Sequence, residues 1–110
     1  MDNLLTIALE AHHEELNHHR RYRITVGRDL LNDWTVSISY GRTDQRGQEK
    51  HFGSADAAAM HKIVREHLRR RLSAPKRSGC AYRVTNLSTA AGFDGAAWLP
   101  NDVMAGFFQA

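Results

Sequence analysis

Two periods compete along this chain. Between residues 2 and 18, Leu5, Ala8, Ala11 or His12, Glu15 and Leu16 recur near helical spacing among good helix formers, which predicts an amphipathic N-terminal helix. From Arg21 the period shortens to two: Tyr22, Ile24 and Val26 alternate with Arg21, Arg23 and Thr25, the pattern of a half-buried strand. After a turn through Gly27 to Asp33, a second strand sets Trp34, Val36, Ile38 and Tyr40 against Thr35, Ser37 and Ser39, bracketed by Asp33 and Gly41. The polar stretch Arg42 to Gln48 then leads as a hairpin into a short strand at Glu49 to Phe52. Ser54 offers an N-cap and Asp56 suits the first-turn dipole of a helix running to about Leu72, with Ala57, Met60, His61, Val64, Leu68 and Leu72 on one face. Ile63 fits neither the apolar face nor the basic stripe beside it, and Ser73 and Pro75 mark the end. Cys80, Tyr82 and Val84 alternate as a fourth strand. This order predicts an α+β fold: a small antiparallel sheet packed by one main helix, with an N-terminal helix and an apolar C-terminal extension.

The extension, Asn86 to Ala110, has only Asp94 and Asp102 as charges but holds Phe93, Trp98, Phe107 and Phe108. Pro100 can open a short helix with Val103, Met104, Phe107 and Phe108 on one side. So apolar a tail must be covered, by its own domain or by a second copy, and homo-oligomerisation through it is expected. The chain thus divides into an N-terminal helix over 1–19, a central domain over 20–85 and the extension over 86–110.

At 110 residues the chain is one domain, and 42% hydrophobic with 25% charged residues is the balance of a soluble globular protein. No stretch is long and apolar enough to cross a membrane or to serve as a secretory leader. The lone Cys80 excludes an internal disulfide framework and a cysteine-ligated zinc site, and a cytoplasmic location follows as the expectation. Charge changes the picture more. Residues 1–19 carry four carboxylates and no Lys or Arg; residues 20–83 carry all 15 Lys and Arg against six carboxylates; residues 84–110 carry two carboxylates. The formal net charge of +3 therefore conceals a middle of +9. Twelve of the cations are Arg, whose planar fork suits phosphate, so a polyanionic partner is expected.

Several middle segments share a pattern. Arg21-Tyr22-Arg23-Ile24-Thr25-Val26 and Trp34-Thr35-Val36-Ser37-Ile38-Ser39 lead to Tyr40-Gly41-Arg42. Gly47-Gln48, Phe52, a Ser-plus-Ala helix start over Ser54 to Ala59, and Gly79 to Tyr82 follow. Over about sixty residues this resembles the WGR domain, a nucleic-acid-associated module named for a Trp-Gly-Arg signature and known from poly(ADP-ribose) polymerases and bacterial proteins. Tyr40 stands where the family usually has Trp, Asp44 lies near a common glycine, and Cys80-Ala81 is inserted before Tyr82. The resemblance implies that Tyr40 and Arg42 take the places of the Trp and Arg that, in the polymerases, pack against a DNA terminus.

In physical terms, the Tyr40 ring could stack on a sugar or base, an interaction of about 1–3 kcal/mol. Arg42 could grip a phosphate through two donors. The bland alternatives are a core-edge aromatic and a solvated turn residue. A phosphate track would draw further on Arg20, Arg21 and Arg23, on Arg46 in the hairpin turn, on Lys62, Arg65 and Arg69 along the helix, and on the run Arg69-Arg70-Arg71 into Lys76 and Arg77. The His-rich segment His12 to His19 lacks the spacing of a metalloprotease, because Asn17 stands four residues after His13. On a helix, His12, Glu15 and His19 would share a face that could ligate a metal; a solvated, pH-responsive face is the commoner role. His61 reads as a partly buried histidine and Cys80 as a buried inert thiol. No phosphate loop, nucleophile elbow or paired carboxylates stand out, so neither enzyme activity nor a cofactor is expected. The sequence points to non-catalytic binding of nucleic acid, DNA before RNA. The alternative is a protein-interaction and homo-oligomerisation module whose basic face meets an acidic partner.

Overall fold

Alternation, and not helical spacing, governs the first residues of the chain. The computed structural model describes residues 2–74 and 80–108, so Lys76, Arg77 and Gly79 lie outside the described residues. In place of the predicted N-terminal helix stands a strand, β1 (Asp2–His13), followed by a single 3-10 turn over Glu14–Leu16. Leu5, Ile7, Leu9 and Ala11, at a spacing of two, are all buried. Leu4, Thr6, Ala8 and Glu10 take the other face, so the helical recurrence of Leu5 and Ala8 mixes residues from both sides. Good intrinsic helix formers yield here because β1 is bonded on both edges within the sheet, a tertiary gain that local propensity does not register.

Asn17, in the left-handed region at φ 49°, closes the turn into β2 (His18–Arg28), and β1 and β2 pair antiparallel with Ile7 opposite Ile24 and Leu9 opposite Tyr22. The Asp29 carboxylate accepts hydrogen bonds from the Leu31 and Asp33 amides, 2.9 and 3.0 Å, and so shapes the turn into β3 (Trp34–Arg42). β4 (Gln48–Ser54) completes the second hairpin, with Phe52 opposite Val36. The last strand, β5 (Arg83–Thr89), starts after Cys80 and Tyr82 and does not join β4. It pairs with β1, giving an all-antiparallel order β4-β3-β2-β1-β5.

Between β4 and β5 runs α1 (Ala57–Leu72), whose N-cap is Asp56 rather than Ser54: the Asp56 carboxylate accepts from the Ala58 amide at 3.0 Å, while the Ser54 hydroxyl accepts from the Asp56 amide. Met60, Val64 and Leu68, spaced by four, are buried against the sheet. The extension folds back over the same face as a 3-10 turn at Gly95–Ala97 and the helix α2 (Asn101–Phe108). Trp98, Leu99, Val103, Met104 and Phe107 join the one hydrophobic core, so the apolar tail is covered by its own domain; the side chain of Phe108 lies outside the described residues. Among the described residues all the helical cover sits on one face. The other is open, with Thr6, Thr25, Ser37 and His51 in one cross-strand row and Ala8, Arg23, Ser39 and Glu49 in the next.

At the turn end of the second hairpin two glycines meet. A Cβ on Gly41, φ 153°, would lie 2.8 Å from Gly47 Cα, and one on Gly47 would collide with the Tyr40 carbonyl oxygen and lie 2.7 Å from Arg21 Nη2. Gly47→Ala is therefore expected to destabilise the protein by about 1–3 kcal/mol, through displacement of backbone and of Arg21. A urea midpoint unchanged from wild type would contradict this close approach.

Candidate nucleic-acid interface

The signature-like segment lies at the end of β3, where the strand's alternation sends Tyr40 to the helix-covered side of the sheet beside Tyr22 of β2. Their ring centroids are 6.4 Å apart. Tyr40 is half-buried and its hydroxyl donates to Gln48 Oε1 at 2.8 Å. Arg42 is engaged elsewhere, its Nη1 donating to the Asn17 carbonyl at 3.2 Å and its Nε to Asp44 at 3.1 Å. It thereby braces the β1–β2 turn against the turn after β3. The hydrogen bond from Arg42 holds the Asp44 carboxyl below the usual carboxylate range.

Next to Tyr40, the last turn of α1 brings Arg70 and Arg71 over the sheet. Together with Tyr22, Ile38, Tyr40, Lys50 and His67 they line a cleft of about 150 Å³. The Arg71 guanidinium stacks over the Tyr22 ring, 4.7 Å from its centroid, and lies 5.7 Å from that of Tyr82. Lys50 Nζ is 5.8 Å from the Tyr40 centroid. Two donors in this cleft have no hydrogen-bond partner among the described residues: the Tyr22 hydroxyl and Arg71 Nε, both buried. Burial pushes the Tyr22 hydroxyl up to about 12, against the opposing pull of Arg71, so at neutral pH it is a phenol able to donate. His67 donates from Nδ1 to the Ile63 carbonyl at 2.8 Å, which fixes the ring on α1. Two orphaned donors among cationic side chains, with aromatic rings as walls, can accept an anion and stack a planar or sugar group beside it.

Six further candidate cations divide between two other surfaces. Arg21, Arg23 and Arg46 belong to the open side of the sheet: Arg21 donates to Ser39 Oγ (3.1 Å) and the Gln45 carbonyl (3.2 Å), while Arg23 and Arg46 are exposed. Arg21, Ser39, Arg46, Gly47 and Glu49 line a shallow groove there. Lys62, Arg65 and Arg69 lie on the outside of α1, where Arg65 and Arg69 both reach the Asp102 carboxylate of α2, at 3.2 and 3.3 Å. The cations of the strand, the hairpin turn and the helix stripe thus do not converge on Tyr40. Those that do are Lys50, which the sequence does not single out, and Arg70 and Arg71, which it offers only as members of a basic run. A finer signal is present for Arg71, which follows Val64 by seven and Leu68 by three and so belongs to the buried face of α1.

With a strand in place of the N-terminal helix, the helix-face arrangement of His12, Glu15 and His19 does not form. His12 and His19 instead meet across the β1–β2 ladder, Nδ1 to Nδ1 at 2.9 Å, with His12 Nε2 on Glu10 at 2.8 Å, while Glu15 lies in the turn. Among the described residues no three His, Cys, Asp or Glu side chains converge as a metal site. His61 is partly buried, its ring edge-on to Trp98 at 4.1 Å, and Cys80 is buried.

An antiparallel sheet, covered on one face by a long helix and carrying an aromatic and basic cleft at the end of its third strand, makes this a small α+β domain. The family model of the WGR domain matches residues 5–74, and the chain belongs to that family. The match opens inside β1, the segment whose local spacing favours a separate helix, and it closes before β5 and the extension that complete the sheet and core. No curated protein and no solved structure matches the chain. Among the described residues no helix is long and apolar enough to cross a membrane.

Proposed function

We propose that this protein binds nucleic acid without catalysis, and that the cleft of Tyr22, Tyr40, Lys50 and Arg71 seats a phosphate at a DNA terminus. Membership of a nucleic-acid-associated family supports the partner class. The observation behind the site is the pair of buried, unpartnered donors, the Tyr22 hydroxyl and Arg71 Nε. Leaving such a group unbonded costs about 1–3 kcal/mol, and one phosphate oxygen set would satisfy both. Tyr40, at the signature position, lines the same cleft and offers a ring face to the adjoining sugar or base. Arg42 acts indirectly in this reading, by holding two turns in register. The open-face and outer-helix cations supply the wider, salt-sensitive attraction to the backbone. The large side chains of the tail, Trp98, Val103 and Phe107, are packed into the protein's own core and so are not available to a second copy.

Titration of a labelled duplex bearing a 5′-phosphate or a 5′-hydroxyl, each at two salt concentrations, tests the reading with wild type and Tyr22→Phe. Wild type should prefer the phosphorylated end and lose affinity log-linearly with salt. Tyr22→Phe should lose that preference while its thermal midpoint stays level or rises, since the hydroxyl it removes bonds nothing among the described residues. Binding without salt dependence, or an unaltered preference in the variant, would sink the phosphate seat.

A further inference from the structure

The two edges of the sheet are built differently. On the β4 edge, Glu49, Lys50 and His51 stand exposed in succession, the kind of charged edge that discourages another strand from pairing. The β5 edge has no such charged row; its irregularity is a register shift at Thr85, between the pairs Ala8–Asn86 and Leu9–Val84. From Val84 to Thr89 it carries neither charge nor proline, and Thr85 to Thr89 are all exposed. Its Leu87 is 43% exposed on the helix-covered side, where it forms an apolar groove with Thr89, Gly95, Ala96, Leu99 and Met104, about 460 Å³ in volume.

From this asymmetry we propose that β5 is a dimerisation edge, pairing antiparallel with β5 of a second copy about a two-fold axis at Leu87. Backbone parity supports that register. The Ala90 amide donates to the Leu4 carbonyl at 2.8 Å, and Leu4, Thr6 and Ala8 face Ala90, Ser88 and Asn86 along the ladder. Those β5 residues turn their backbone groups toward β1, so Leu87 and Thr89 turn theirs to the free edge. A two-fold axis at Leu87 lets that residue exchange both backbone hydrogen bonds with its own copy, sets Ser88 opposite Asn86 of the second copy, and brings Thr89 to the register shift at Thr85 of the second copy, where regular pairing ends. Leu87 then meets Leu87 on the helix side, and the two apolar grooves adjoin and lose their exposure. Arg83 falls beyond the paired segment, so no like charges face each other. A second copy fits better than an unrelated strand for a further reason: residues 84–110 carry only Asp94 and Asp102, so copies of a chain with a formal charge of +3 meet there with the least repulsion.

This inference is independent of the phosphate seat, which lies over β2 and β3, across β1 from β5. Sedimentation equilibrium over a range of protein concentrations tests it, using wild type, Leu87→Lys and Thr89→Pro. The proline removes an outward amide that β1 does not use. Wild type should approach twice the monomer mass as concentration rises, while both variants remain monomers with the thermal midpoint of dilute, monomeric wild type. Should the variants fold poorly, amide exchange in wild type decides: the Leu87 amide should exchange more slowly in concentrated than in dilute solution, and the Ser88 amide, already turned to β1, should not change. A wild type that stays monomeric, variants that dimerise like wild type, or Leu87 exchange independent of concentration would each overturn the proposal.

Discussion

Trp98→Ala is expected to lower the stability of the whole protein by about 3–5 kcal/mol, a fall of roughly 10–20 °C in thermal midpoint, with one cooperative transition retained. Trp98 follows the 3-10 turn at Gly95–Ala97, lies outside the family match, and yet is only 2% exposed. Its ring stands edge-on to His61 of α1 at 4.1 Å and lies 5.2 Å from that of Trp34 and 6.3 Å from that of Phe93. Removing it opens a cavity walled by three separate parts of the chain, which cannot collapse together. Differential scanning calorimetry of wild type and variant measures the effect. A small shift would mean that the extension is an appendage and that the core closes without it.

The largest expected effect on binding comes from Arg71→Gln. Glutamine keeps part of the stem over the Tyr22 ring but removes the fixed charge and Nε, so affinity for a 5′-phosphorylated duplex should fall about 10- to 100-fold, the loss of a charged hydrogen bond. The slope of log affinity against log salt should decrease by about one, as for one phosphate contact removed. Lys62→Gln, on the outside of α1 and beyond reach of the cleft, should change affinity far less. Equal losses in the two variants would reduce the cleft to one more part of a diffuse positive surface.

Strands and helices whose burial comes from a single face are legible in the sequence. Tyr22, Ile24 and Val26, Trp34 to Tyr40, and the Met60, Val64 and Leu68 stripe all keep one period over several turns or pleats, and each lies where its period places it. β1 is the exception although Leu5, Ile7, Leu9 and Ala11 also keep a period of two, because its composition argues against that period. Leu, Ala and Glu favour a helix locally, and only the pairing with β2 and β5, the latter remote in sequence, makes the strand the better solution. Ser54 and Asp56 both have the chemistry of caps; it is the Asp56 carboxylate that reaches the Ala58 amide, so the helix starts later than a Ser54 cap would place it.

The candidate site is legible in part for a related reason. Tyr40 is found through its signature position and does line the cleft. Arg42 looks like a free cation in the sequence, but its partners, the Asn17 carbonyl and Asp44, come from two turns whose proximity depends on the β1–β2 hairpin. Charge counting favours exposed cations such as Lys62 and Arg65. It makes Arg71 one of a run, whereas the significance of Arg71 lies in being half-buried on the apolar side of α1, against Tyr22 and Tyr82. Tyr22 itself alternates like any core residue, and only the lack of a partner for its hydroxyl marks it out.

The central place of β1 also bears on the order in which the chain folds. Its hairpin with β2 closes a very short loop, but its other edge waits for β5: Thr85 and the Ala8 carbonyl, 3.3 Å apart, are separated by 77 residues of chain. The entropy of closing that loop must be met before the contact gives any return. The β1–β2–β3–β4 meander and α1 can therefore assemble first, while one edge of β1 and the space later filled by Trp98 and Val103 stay open. Docking of β5 and the extension becomes the last step, and a chain arrested before it would present the bare edge of β1, with its buried row of Leu5, Ile7 and Leu9, to any neighbouring chain.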